Sequence, residues 1–169
     1  MNVAPEIIAA LCRKHAPDLL TPVKWQGTSL DKVRLLWGLA GNESLFGVNC
    51  TPRHEHGYCY GGKYFNSVAS RSWGCLAHCS FGPWQVMFAV FPVDVSPLSL
   101  VWETDGRVAS EVGCLGAVRR LNQIIARRPG NLGDIVLHYN GPLEVETYEA
   151  RLVESMDRPM PETPATVTV

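Results

Sequence analysis

The sequence lacks three features that would assign it to a broad class of proteins. It has 169 residues but no run of about twenty apolar residues, which a membrane-spanning helix needs. It has no excess of positive charge, since the formal net charge at pH 7 is −1, and a nucleic-acid partner is not expected. Residues 1–6 lack a basic start followed by an apolar run, which predicts synthesis in the cytoplasm without a signal peptide.

The cysteines do not form a clear disulfide or metal-binding pattern. There are six, an even number, but a reducing site of synthesis and a chain of this length make disulfides unnecessary. Three of these cysteines lie near histidines in the sequence, and zinc prefers both kinds of donor. The residues are His54, His56, Cys59, Cys75, His78 and Cys79. Their spacing fits no standard ligand pattern, so the sequence favours packed thiols and polar loop histidines and predicts neither a metal nor another cofactor.

The length and the 46% apolar content predict one compact domain with a mainly α fold over residues 1–158. Residues 159–169 predict a flexible tail rich in proline and threonine. Apolar periodicity predicts an opening helix, a second helix capped by Thr28 and ended by Gly41, and a long core helix over 106–128. It also predicts a short buried helix over 85–90, one capped by Asn131, and a last helix that opens at Pro142.

Residues 50–73 have no helical periodicity and are rich in glycine, tyrosine, histidine, asparagine and serine. This composition predicts a loop or a small β-hairpin inserted into the helical domain, with a turn flanked by short strands over residues 58–65. We expect this insertion to form one wall of a cleft.

Glu43 is the strongest candidate for a catalytic residue. It follows the predicted end of the second helix, where the negative end of the helix dipole disfavours a charged carboxylate. Leu45, Phe46 and Trp84 provide apolar neighbours in the motifs around it. Cleavage of a glycosidic bond at neutral pH needs a carboxyl that keeps its proton in such surroundings.

Three runs then follow one another in an order that a known family uses. They are Glu43-Ser44-Leu45-Phe46, Gly82-Pro83-Trp84-Gln85 and Tyr139-Asn140-Gly141. Together they resemble the three signature motifs of the soluble lytic transglycosylase domain of the lysozyme-like superfamily, and the resemblance covers roughly residues 28–156. The family usually has Gly-Leu-Met-Gln in the second motif and Tyr-Asn-Ala-Gly in the third, so Pro83, Trp84 and Gly141-Pro142 depart from its pattern.

The resemblance implies an α+β lysozyme-like fold and a function. The substrate would be the glycan strand of peptidoglycan, cut between N-acetylmuramic acid and N-acetylglucosamine with formation of a 1,6-anhydro end. Glu43 would act first as general acid and then as general base. Gln85 would bond the sugar near its N-acetyl group, Tyr139 would orient the Glu43 carboxyl beside Asn140, and Ser44 would support the loop or a sugar group.

Aromatic side chains near these motifs predict surfaces for the apolar sides of sugar rings. The candidates are Trp84, Phe88 and either Tyr60 or Tyr64. No metal or organic cofactor is implied by the family.

Two other functions stay open at this point. Glu55, in the predicted insertion, would act as a second carboxylate if it faces Glu43, and the protein would then be a hydrolytic muramidase (lysozyme). A non-catalytic glycan-binding protein of the same fold would keep the groove aromatics without depending on Glu43. The apparent lack of a signal peptide and of a wall-binding module favours a phage-associated lytic enzyme acting on the bacterial cell wall, and the oligomeric state is not predicted.

Overall fold

The computed structural model describes residues 2–20, 23–87, 106–128, 131–139 and 145–162. These residues are mostly helical, which confirms the predicted mainly α class. The α-helices of the described residues are α1 (Pro5–His15), α2 (Lys32–Ser44), α3 (Ser67–Trp73), α4 (Gly106–Arg127), α5 (Leu132–Tyr139) and α6 (Val145–Asp157). Among these ranges, no helix is both long and apolar enough to cross a membrane.

The core lies between α1, α2, α4 and α6. Helix α2 packs along α6, and α1 contacts both α2 and α4. Two glycines permit the close approach of α2 and α6, since a Cβ added at Gly38 would lie 2.3 Å from Met156 Cγ and one at Gly41 would lie 2.9 Å from Ser155 Cβ. This close packing brings the end of α2, which carries Glu43, against α6.

Helix α2 begins and ends later than the sequence predicts. Asp31, rather than Thr28, is the N-cap, because its carboxylate accepts a hydrogen bond from the Arg34 amide at 2.8 Å. The helix continues past Gly41 to Ser44, and Leu45 terminates it in the left-handed conformation with φ 53°. Glu43 therefore lies in the last turn of α2, and the argument from the helix dipole still applies there.

A small sheet supplies the β part of the fold. Strands β1 (Lys24–Trp25) and β2 (Thr28–Ser29) form one antiparallel pair. A second, three-stranded antiparallel sheet has the order β3-β4-β5 and contains β3 (Arg53–His54), β4 (Cys79–Phe81) and β5 (Val86–Met87). Strand β3 is thus the part of the predicted insertion that joins a sheet.

The position of the strands corrects two predictions. Residues 58–65 contain no strand; a 3-10 helix over His56–Tyr58 is followed by turns and then by α3. The predicted helix over 85–90 is wrong for residues 85–87, because Gly82 and Gln85 have positive φ values of 71° and 45° and form the turn between β4 and β5. Residues 88–90 lie outside the described residues.

The C-terminal half follows the predicted pattern more closely. The long helix α4 is confirmed, and Asn131 caps α5 by accepting a hydrogen bond from the Asp134 amide at 2.8 Å. Pro142 lies outside the described residues. The first residues of the predicted tail contact the domain, since Met160 packs against the core and the Pro161 carbonyl accepts a hydrogen bond from Arg13 at 2.7 Å; residues 163–169 lie outside the described ranges.

Candidate active site

A cavity of about 110 Å³ lies where the end of α2, the start of the polar insertion and the β4–β5 turn meet. It brings together both carboxylates that the sequence singled out. The residues with polar groups that line it are Glu43, Arg53, Glu55, Tyr58, Ser80, Gln85 and Tyr139. Two of the three motifs therefore reach this cavity through Glu43 and Gln85, and the third reaches it through Tyr139.

The Glu43 carboxyl is half-buried and has a raised pKa. Burial raises the pKa of Glu43 above its usual value, and the nearby charge of Glu55 acts in the same direction. A hydrogen bond from Tyr148 and the charge of Arg53 lower the pKa but do not cancel the effect of burial. The expected electrostatic character of Glu43, a carboxyl that holds its proton more tightly than usual, is present in the structure.

The residue that bonds Glu43 is Tyr148, not Tyr139. The Tyr148 hydroxyl, on α6, donates a hydrogen bond to Glu43 Oε1, and the Tyr148 side chain is buried. The Tyr139 hydroxyl instead donates to the Trp84 carbonyl at 2.9 Å. The predicted hydrogen bond from Tyr139 to Glu43 is therefore absent, and Tyr148 makes it instead. Tyr139 does line the cavity beside Glu43.

Trp84 is part of the core and not of a sugar-binding surface. Its side chain is 0% exposed, and its indole N–H donates to the Leu36 carbonyl at 2.9 Å. A ring with no exposed face cannot stack on a saccharide. Trp84 instead attaches the β4–β5 turn to α2, which fixes the neighbouring Gln85 beside the cavity.

Ser44 supports the backbone that follows α2. Its hydroxyl donates to the Ala40 carbonyl at 2.8 Å and accepts from the Gly47 amide at 2.9 Å. The side chain is buried, so it does not reach a sugar. Of the two predicted roles for Ser44, the support of the loop is the one that the structure contains.

Gln85 points its amide toward Ser80 at the edge of the cavity. Its Oε1 accepts from the Ser80 hydroxyl at 2.9 Å, and its Nε2 donates to the Gly82 carbonyl at 3.0 Å. A carboxamide has two donor hydrogens and two acceptor lone pairs, so these contacts leave one of each for a ligand. The amide orientation is thus fixed before any ligand binds.

Glu55 lies in the same cavity as Glu43 and is held by two groups. Its Oε1 accepts from Arg53 Nε at 2.7 Å and lies 2.9 Å from the Ser80 hydroxyl, whose single hydrogen it shares with Gln85 Oε1. Burial alone would lower the pKa of Arg53, but the hydrogen bond to Glu55 and the charges of Glu55 and Glu43 raise it. The sequence proposed Glu55 as a possible neighbour of Glu43, and the structure places it there.

The remaining predicted site residues are Phe88, Asn140, Tyr60 and Tyr64. Phe88 and Asn140 lie outside the described residues. Tyr60 is 89% exposed and Tyr64 is half exposed, and neither lines the cavity. Both rings remain available at the surface of the insertion.

Sequence reasoning missed three residues that shape the site, namely Arg53, Ser80 and Tyr148. Tyr148 lies within the predicted last helix, and the only signal for its role is that a buried tyrosine hydroxyl usually has a partner. Arg53 and Glu55 are separated by two positions, a spacing that places side chains on one face of an extended chain. The two-residue separation of Arg53 and Glu55 could have predicted their ion pair. No feature of the sequence indicates that Ser80 lies at the site.

Comparisons with protein-family models, with curated proteins and with solved structures found no match to this chain. Function is therefore argued from the motifs and from the cavity. The cavity combines a carboxyl with a raised pKa, an arginine–carboxylate pair and a fixed carboxamide. Such a set can donate a proton to a bound oxygen and stabilise positive charge that develops beside it.

Proposed function

We propose that this protein cleaves the glycan strand of peptidoglycan as a lytic transglycosylase, with Glu43 as the general acid and base. The observation that carries the proposal is the environment of Glu43, which is half-buried, bonded by Tyr148 and open to a cavity that also holds Gln85. The order of the three motifs supports the choice of substrate. The proposal includes the lysozyme-like fold, for which the helical domain with its small three-stranded sheet is suitable.

The first step needs a protonated Glu43. Tyr148 bonds Oε1, which leaves Oε2 to carry the proton. The carboxyl gives this proton to the glycosidic oxygen as the bond from that oxygen to the anomeric carbon breaks, and the N-acetylglucosamine part leaves as an alcohol. Positive charge then develops on the muramyl ring, and the Glu55 carboxylate is the nearby group of opposite charge.

The second step returns the proton. Glu43, now a carboxylate, removes the proton from the muramyl 6-hydroxyl while the hydroxyl oxygen bonds to the anomeric carbon. The product is the 1,6-anhydro sugar, and Glu43 regains the proton it gave. Gln85 has a donor and an acceptor free to hold the N-acetyl group or a neighbouring hydroxyl during both steps.

The position of Glu55 favours hydrolysis as a second candidate. A hydrolase that inverts configuration needs a second carboxylate to remove a proton from water, and Glu55 lines the same cavity as Glu43. However, Glu55 Oε1 already accepts a hydrogen bond from Arg53 Nε and lies against the Ser80 hydroxyl, so this oxygen is not free to receive a proton from water, and the order of the three motifs favours the transglycosylase. We therefore place transglycosylation first and assign Glu55 an electrostatic role.

The test uses purified protein and isolated peptidoglycan. We expect the protein to clear the suspension, and we expect Glu43→Gln to slow the clearing by about 100- to 10,000-fold, the usual contribution of a general acid. Glu154→Gln is the matched control, because Glu154 is an exposed carboxylate on α6 whose side chain is 69% exposed. Its rate should equal that of the unmodified protein.

Mass spectrometry of the released fragments separates the candidates. Anhydro ends, still formed by Glu55→Gln, would support the transglycosylase. Reducing ends that disappear in Glu55→Gln would establish the hydrolase instead. Glycan binding without any cleavage would identify a non-catalytic protein, and unchanged clearing by Glu43→Gln would exclude Glu43 as the acid. The proposed substrate places the site of action at the bacterial cell wall, and phage association remains a prediction.

A further inference from the structure

The two faces of the β3–β4 pair carry different chemistry. Side chains alternate between the faces of a strand, and residues opposite each other in an antiparallel pair share a face. Arg53 pairs with Ser80, and both line the cavity described above. His54 pairs with Cys79, so these two side chains lie on the opposite face, away from Glu43.

Three metal-binding side chains converge on that opposite face. The donor atoms of His54, His56 and Cys59 all lie within 4.8 Å of one another. Cys59 Sγ is 3.3 Å from His54 Nε2. A tetrahedral zinc ion with Zn–S near 2.3 Å and Zn–N near 2.0 Å separates a sulfur and a nitrogen ligand by about 3.5 Å. The observed sulfur–nitrogen distance is close to that value before any metal binds.

Cys79 is the best placed fourth donor. It is the cross-strand partner of His54, and directly opposed residues have Cβ atoms about 4.5–5.5 Å apart. Its Sγ is not part of the group of donor atoms within 4.8 Å of one another and lies 3.8 Å from the Cys75 carbonyl, so its side chain has to turn toward the other three when a metal binds. His78 is a poorer candidate, because its Nε2 is already 2.9 Å from the Ser70 hydroxyl.

The segment around these side chains has few of the buried apolar contacts that usually stabilise a folded segment. We call residues 51–76 the polar segment; it contains β3, a 3-10 helix and α3, yet not one of its residues is buried. Trp73 and Leu76, at the end of the segment, pack against the core of the helical part, and the rest of the segment has only surface contacts between aromatic rings. A folded segment with so little buried apolar surface usually depends on a disulfide, a metal or a partner. All six cysteines are free thiols, so no disulfide serves this purpose here.

We propose that His54, His56, Cys59 and Cys79 form a structural zinc site that fixes the polar segment to β4. Two imidazoles and two thiolates complete a tetrahedral set, which leaves no open position for a substrate or water. The site lies behind the cavity, so zinc has no part in the cleavage steps. Its effect is to hold the backbone of His54, and with it the neighbouring side chains of Arg53 and Glu55.

The spacing of these ligands explains why the sequence alone favoured unligated thiols and histidines. His54, His56 and Cys59 follow one another within six residues, whereas Cys79 comes from a different strand. Only the pairing of β3 with β4 places Cys79 opposite His54. Paired cysteines at knuckle spacing, the usual signal of a zinc site, are absent.

The test measures zinc directly and does not depend on glycan cleavage. The untagged chain, purified under reducing conditions, should contain one equivalent of zinc by elemental analysis. X-ray absorption at the zinc edge should show sulfur ligands near 2.3 Å and nitrogen ligands near 2.0 Å in equal number. A metal-free chain that takes up no zinc, or an edge spectrum of oxygen ligands alone, would overturn the proposal.

Variants identify the ligands. Cys59→Ser and Cys79→Ser should each bind zinc at least about a hundredfold more weakly, since even changes behind the ligands weaken metal sites by about 10- to 100-fold. Cys75→Ser is the matched control, because Cys75 is an exposed thiol in the same region. It should keep full zinc content, and loss of zinc in Cys75→Ser but not in Cys79→Ser would contradict the assigned fourth ligand.

Amide hydrogen exchange tests the zinc site in the unmodified chain, so the test does not depend on whether a variant folds. Removal of zinc by a chelator should increase exchange within residues 53–79 and leave exchange in α1 and α2 unchanged. Equal exchange with and without the chelator would overturn the structural role of the metal. Zinc binding and glycan cleavage are measured separately, so either proposal can fail without the other.

Discussion

The helical part of the molecule and the polar segment are held together in different ways. Helices α1, α2, α4 and α6 enclose a core in which large side chains such as Trp37 and Leu36 are almost completely buried. The polar segment buries none of its residues. Its contacts include hydrogen bonds, the ion pair of Arg53 with Glu55, and partly exposed aromatic ring contacts such as that of Tyr58 with Tyr64.

Because of this difference, the two regions supply different kinds of side chain to the candidate site. A raised carboxyl pKa requires removal of the carboxyl from water, and only the helical part provides the burial for Glu43 and the buried hydroxyl of Tyr148 that bonds it. The polar segment provides Arg53 and Glu55, charged groups that stay partly hydrated. A protonated acid and an ion pair can thus face one cavity because they come from regions of different polarity.

The first prediction compares an aliphatic side chain in each region, and its expected effect is the largest. Leu36→Ala, at a completely buried position of α2, should lower the free energy of unfolding by about 2–5 kcal/mol. Val68→Ala, at a position of α3 that is 62% exposed, should change it by less than about 0.5 kcal/mol. Denaturant unfolding measures both, and equal losses would show that the polar segment contributes to an apolar core after all.

The second prediction concerns the hydroxyl that the helical part supplies to Glu43. Tyr148→Phe should lower kcat/KM for glycan cleavage by about tenfold, or about 1.4 kcal/mol, because the carboxyl loses a positioning hydrogen bond. That bond lowers the pKa of Glu43, so its loss raises the pKa further. The alkaline limb of the pH–rate profile should therefore move to higher pH.

Tyr139→Phe is the matched control for this experiment. It also removes one hydroxyl from a tyrosine that lines the cavity, but that hydroxyl bonds the Trp84 carbonyl and not Glu43. Its alkaline limb should stay in place. A limb that moves equally in both variants would show that Tyr148 has no specific effect on the acid.

The third prediction has the smallest expected effect. It concerns how much the raised pKa of Glu43 lowers the free energy of unfolding at neutral pH. The pKa of Glu43 is higher in the folded protein than in the unfolded chain, so stability falls as pH rises through the unfolded and then the folded pKa. Glu43→Gln removes this cost and keeps an acceptor for Tyr148. The variant should be more stable by about 1 kcal/mol at neutral pH.

The pH dependence provides the check on that prediction. Below the range in which ordinary carboxyls titrate, Glu43 is protonated in both states, and the variant and the unmodified protein should have equal stability. Unfolding curves at neutral and acidic pH measure the two differences. A variant that is less stable at neutral pH would mean that the Glu43 carboxylate stabilises the fold.

The parts of the fold that the sequence predicted are those controlled by local pattern. The long helix α4 and the cap at Asn131 depend on apolar spacing and on one side chain near its own backbone. The strands depend on pairing partners that the apolar pattern does not specify: β5 replaced a predicted helix because residues 86 and 87 pair with β4 across a turn in which Gly82 and Gln85 have positive φ values. The same reason explains why residues 58–65 were wrongly expected to contain strands.

The candidate site shows the same division. Glu43 and Gln85 are recognisable from motifs that lie within a few consecutive residues. The partner of Glu43 is not, because Tyr148 is 105 positions away and its place in the inward stripe of α6 does not say which group it meets. The prediction of a sugar-binding surface at Trp84 is wrong because an aromatic residue near a motif can equally belong to the core, and the turn directs this ring into the core.

The proposed chemistry depends on Glu43 keeping its proton at a pH where ordinary glutamates have lost theirs. A carbon-13 NMR titration of the glutamate side-chain carboxyls, with Glu43→Gln to assign the signal, measures this directly. We predict a midpoint for Glu43 clearly above the usual glutamate value of about 4.3. A midpoint at or below that value would contradict the account, because Glu43 would then have lost its proton at neutral pH and could not act as the acid.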